Sequence, residues 1–101
     1  MSKKAPVRIL VLDILKPHKP NILELGQAIA EKTGTMDINL VVYAVDEKTE
    51  SVKMTLSSKD IDYEKVEKAL EDHAAVIHSI DKVVIGKKDI IQVPSEPTLS
   101  K

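Results

Sequence analysis

The chain has 101 residues, with no cysteine, phenylalanine or tryptophan and only two tyrosines, three glycines and a single arginine, Arg8. Each shortage removes a class of function. Without cysteine there is no disulfide, no thiol nucleophile and no thiolate metal site, so the metallochaperone uses of small α+β domains are excluded. With no aromatic in the first, third or fourth strand, the stacking platform of single-strand RNA readers is not expected. Gly26, Gly34 and Gly86 lie too far apart to form a glycine-rich phosphate loop. Phosphate-cradling catalysis of the acylphosphatase kind needs an arginine after the first strand, where this chain offers only Lys16 and Lys19 between prolines. A surplus of either charge is also missing: fifteen basic residues stand against sixteen acidic ones, a formal net charge of −1, which disfavours nucleic acid as a partner. The first apolar stretch is broken by Arg8 and Asp13, so neither a membrane span nor a secretory leader is expected, and the cytoplasm is the expected location.

What is present is a well-mixed globular composition, 43% hydrophobic and 31% charged. It suits one domain over residues 1–91 followed by a flexible tail over 92–101. The run VRILVLDIL at 7–15 is β-branched and ends at Lys16-Pro17, which predicts a strand. Asn21 precedes Glu24 by three, a capping-box spacing, and Ile22, Leu25 and Ile29 recur at helical period before Gly34, which predicts a helix over 21–33. Residues 37–46 and 51–58 flank a polar turn and read as a β-hairpin. Asp62 begins a second helix, with Ile61 and Val66 placed as a hydrophobic staple and His73 at its C-terminal end. Residues 76–85 form a fourth strand, and KDIIQV at 88–93 suggests a short fifth.

The order βαββαβ with right-handed crossovers predicts an α+β fold, the ferredoxin-like two-layer sandwich, with antiparallel strand order 4-1-3-2. That order gathers Asp13, the His18 loop, the turn from Asp46 to Glu50, His73 and His78 at one end of the sheet. Strands one and two are apolar on both sides. Helices cover only one face, so the other predicts a homo-oligomer joined through sheet faces or edge strands; the alternative is a C-terminal segment folded back over that face.

Asp13 interrupts an apolar strand, where an ionised carboxylate needs a partner. It reads as a ligand-binding residue with Lys16, His18 and His78, or as an acceptor for nearby backbone groups. A divalent cation such as calcium would draw on Asp13, His18, Asp46, Glu47, Glu50 and His78, although the spacing matches no established cation loop and an acidic turn is equally a solvated one. His18 and His78 have plainer readings as a loop and an edge-strand histidine.

The stretches LDILKPH, VDEKTESVK and IHSIDKVVIGK resemble the archaeal family known as domain of unknown function 211, over residues 7–90. The resemblance implies a ferredoxin-like fold in an oligomeric assembly and supplies no reaction. Three functional readings follow. The first is a non-enzymatic oligomer serving as a small-ligand-binding, divalent-metal-binding or regulatory module. The others are a small enzyme with an acid–base centre at His18 or His78 near Asp13, and a purely structural assembly protein.

Overall fold

The computed structural model describes residues 4–34 and 37–87. Its elements run β1 (Val7–Pro17), α1 (Ile22–Thr33), β2 (Asp37–Val45), β3 (Thr49–Ser57), α2 (Tyr63–Glu71) and β4 (Val76–Ile85). The strands form one antiparallel sheet in the order β2-β3-β1-β4, which counted from the β4 edge reads 4-1-3-2. This is the architecture of the ferredoxin-like βαββαβ sandwich. The segment expected to form a fifth strand and the tail lie outside the described residues.

Local chemistry explains the helix boundaries. Asn21 Oδ1 accepts from the Glu24 amide at 2.8 Å while Glu24 Oε1 accepts from the Asn21 amide at 3.0 Å, a complete capping box. At the other end the Gly34 amide reaches the Ala30 carbonyl with Gly34 at φ 91°. Asp62 caps α2 through the Lys65 amide, and Ile61 and Val66 are both buried. α2 closes with Ala74 at φ 62° and the Ala75 amide on the Leu70 carbonyl, a left-handed stop that glycine usually makes.

The core lies between the helices and one sheet face. Leu10, Leu12 and Ile14 of β1 meet Leu56, Met54 and Val52 of β3 in direct register, covered by Leu25 and Ile29 of α1 and by Val66, Ala69 and Leu70 of α2. Lys16 continues this inward series and is 1% exposed. β1 therefore runs two residues beyond the expected boundary, with Lys16 opposite Glu50 and Pro17 opposite Thr49. Proline is tolerated there because a terminal strand position forfeits only one ladder bond.

The opposite face differs from the expected apolar surface. β2 and β4 depart from strict alternation: Tyr43 is an extra residue against β3, and His78 and Asp81 are extra residues against β1. Such bulges re-aim side chains. Polar groups consequently occupy the middle of this face, and exposed apolar side chains concentrate on the outer strands, Val41, Tyr43 and Val45 on β2 and Val76, Ile80, Val83 and Ile85 on β4. Among the described residues no helix is long and apolar enough to cross a membrane.

Candidate functional site

Two polar constellations flank β1, one on each face of the sheet. The first is built where β1 leaves the sheet beside the hairpin. The Lys16 stem runs into the core, and its Nζ donates to the Pro17 carbonyl at 2.7 Å and to Glu50 Oε1 at 3.0 Å. The other Glu50 oxygen lies 3.0 Å from His18 Nδ1, and His18 Nε2 lies 2.9 Å from the Glu47 carbonyl. Both partners of the imidazole are acceptors, so making both bonds requires a proton on each ring nitrogen, the imidazolium form. The hydrogen bond to Glu50, followed by the Glu47 carbonyl, raises the His18 pKa above its ordinary 6.5. In return the His18 hydrogen bond, with Lys16 next, lowers that of Glu50. The result is a clamp that ties the β1–α1 loop to the β2–β3 hairpin.

The second constellation lies on the helix-free face. The Tyr43 hydroxyl donates to Asp13 Oδ1 at 2.6 Å, and Asp13 is the register partner of both Lys53 and Ser79. Lys53 pairs with Asp81 and stands 5.7 Å from the centre of the Tyr43 ring, a cation–π distance. Asp81 accepts a further bond from the Ser79 hydroxyl at 2.8 Å. The pKa shifts follow these partners. The Asp13 hydrogen bond raises Tyr43, Asp81 raises Lys53, and Lys53 with Ser79 lowers Asp81. Both bulged residues of this network, Tyr43 and Asp81, point toward β1 and β3 because their strands each carry an extra residue.

The residues singled out from the sequence thus divide. Lys16, His18 and Glu50 come together, with Glu47 contributing its backbone carbonyl. Asp46 closes the hairpin through its own amide on the Thr49 carbonyl. Glu50 belongs to β3 and not to the turn. Asp13 does not join them, being held on the other face by Tyr43. His78 is exposed on the β4 edge as an extra residue against β1. His73 donates from Nδ1 to the Ala69 carbonyl at 2.8 Å, as a residue ending a helix does. The six proposed cation ligands accordingly do not converge: among the described residues no three His, Asp or Glu side chains are placed to hold a metal.

Sequence reasoning missed Tyr43, Lys53, Ser79 and Asp81. Lys53 carried a readable signal, because pairing β1 with β3 sets it opposite Asp13 once the register is known. Tyr43 and Asp81 carried none, since a bulge leaves no mark in a period-two pattern.

The family model described as uncharacterized ArCR, domain of unknown function 211, matches residues 8–98. The chain is also similar to an uncharacterized protein of Methanocaldococcus jannaschii, with 39% identity over 87 residues, covering 86% of this chain and 90% of that protein.

Proposed function

The chain belongs to the family of domain of unknown function 211, and on that footing we propose that it is a non-enzymatic module that self-associates through the two edges of its sheet. The observation that carries this reading is the pair of apolar edges, bare among the described residues. β4 exposes 62% of Val76, 50% of Ile80, 43% of Val83 and 58% of Ile85, and β2 exposes 51% of Val41 and 68% of Val45. Edge strands template pairing through their free amides and carbonyls, and although both edges here carry a bulge, they still expose these apolar side chains. Burying about half of an aliphatic side chain contributes roughly 1 kcal/mol, so one junction gathers on the order of 6 kcal/mol of apolar burial before the ladder bonds are added.

The helix-free face supports association less well. Stacking two such faces would strip water from Asp13, Lys53 and Asp81, a desolvation cost that an edge junction avoids. β2 and β4 are antiparallel to one another, so β2 of one copy beside β4 of the next continues the alternation of the sheet. A two-fold pairing of identical edges would leave the other edge bare, whereas this head-to-tail contact uses both. Catalysis finds less support, because Lys16, Glu50 and His18 engage one another and Asp13 is held apart by Tyr43. Divalent-cation binding forms no part of the proposal, since the described residues offer no converging ligand set.

Native mass spectrometry and light scattering test the reading. More than one copy per particle at micromolar protein is expected, with dissociation on placing lysine at Val83 or Val41. A monomer at that concentration would sink it.

A further inference from the structure

We propose that residues 89–93 (DIIQV) of one copy seat in the groove between α1 and β2 of the next. This rests on the edge-pairing reading above. The groove holds about 330 Å³ and is lined by Leu23, Gly26, Ala30, Ile38 and Leu40, with Asp37 at its end. It runs beside Gly26, where a Cβ would stand 2.9 Å from Leu40 Cδ1. Leu23 is 69% exposed on its rim.

Register identifies the occupant. Asp37 pairs with Ser57, Ser57 with Ile9 and Ile9 with Val84, so these four residues form one row across the sheet. In an in-register junction the neighbour's β4 extends that row, and its Val84 falls about 5 Å from Asp37, one strand spacing away. Two residues later the neighbour's chain reaches Gly86, whose φ of 142° suits a turn that a side chain would resist. From Val84, five to nine residues of chain at up to about 3.5 Å each give residues 89–93 the reach to enter the groove. Their Ile90, Ile91 and Val93 match its aliphatic lining, and Lys87 and Lys88, just before them in sequence, complement the charge of Asp37.

The chain's own segment starts from a poorer place. It leaves β4 three strand spacings, about 14 Å, from β2. There the Arg8 guanidinium donates to the carbonyls of Gly86 and Lys87, each at 3.3 Å, and the Gly86 amide bonds to Pro6. The following connection, with the Ser58 and Ile61 amides bonded to Arg8 and Val7 carbonyls, also stands at this end of the sheet.

The absence of cysteine makes the test clean. Full-length chains carrying Gln27→Cys, in the groove lining, and Ile91→Cys are mixed, allowed to exchange, oxidised and run without reductant, alongside the double variant. The expected result is a disulfide-linked heterodimer from the mixture and chain-to-chain ladders from the double variant. Deleting residues 88–101, or introducing Leu23→Lys, should weaken assembly by about tenfold or more in native mass spectrometry, the equivalent of losing one well-buried aliphatic contact. An oligomer that gives no crosslink, that crosslinks only within a chain, or whose affinity is unchanged by both the deletion and Leu23→Lys overturns this inference and leaves edge pairing standing. A monomeric full chain overturns both.

Discussion

Lys16 offers the sharpest test of the packing argument, because it combines a 1% exposed side chain with a positive charge. Alanine keeps the Cβ, so Lys16→Ala deletes three methylenes of the stem, each contributing about 0.8 kcal/mol when buried, and should cost about 2.4 kcal/mol from the stem alone. The ammonium makes hydrogen bonds to Pro17 and Glu50, but those gains are offset by the desolvation of the charge. Lys16→Met keeps most of the buried volume and removes the charge, and Glu50 keeps its bond to His18. The methionine variant should therefore fall within about 1 kcal/mol of the parent. For a domain of this size each kcal/mol moves the midpoint by roughly 4–8 °C, so the alanine variant should melt about 10–19 °C lower and the methionine variant close to the parent. Calorimetry and urea titration at one fixed protein concentration read the difference, since association would make Tm depend on concentration. If methionine proves as damaging as alanine, the charge and not the stem holds this end of the sheet. If alanine costs less than about 1 kcal/mol, the burial argument itself is wrong.

The His18–Glu50 bond should give stability a defined pH window. The raised imidazole contributes fully below pH 6.5 and loses its contribution as pH rises through its folded value; the lowered carboxylate contributes above pH 4.5 and loses it as pH falls through its own. The difference in urea midpoint between the parent and His18→Ala should be largest between those values, and a difference that stays flat up to about pH 9 would contradict the clamp. Tyr43 and Tyr63 should both ionise above the ordinary value of 10, Tyr43 because of Asp13 and Tyr63 because of burial and then Glu67. Asp13→Asn should lower only one of the two in an ultraviolet titration, and a shift of neither would remove the hydrogen bond from the argument. Ala74→Gly relieves a left-handed conformation worth about 1–2 kcal/mol, less about 0.4–1 kcal/mol of added unfolded-chain entropy, so a gain near 0.5–1 kcal/mol is expected by denaturant unfolding.

Most of the fold was legible because its signals are local. The Asn21 to Glu24 box, the Ile61 and Val66 staple and the inward series Val52, Met54 and Leu56 are each set by neighbours within a few residues. The limits of β1 and β3 were less legible, since Thr49 and Glu50 look like turn residues until Pro17 and Lys16 pair with them across the sheet. Lys16 did carry a local signal, as the next even position after Leu10, Leu12 and Ile14. The proline after it and the charge on it outweighed that signal and placed it in a loop.

The pairing of the polar groups was hidden for a related reason. Read along the chain, Asp13, His18 and Glu50 each lack a visible partner and so suggest a ligand. Each finds its partner only across strands: Asp13 at Tyr43, His18 at Glu50, and Glu50 at Lys16 as well. Once these pairs form, their charges are largely answered within the chain, and the outer strands carry apolar side chains that no other described residue covers. An ionic network on the sheet face resists burial while the bare edges favour it. The division of charge and apolar surface between face and edge therefore argues for association along the plane of the sheet.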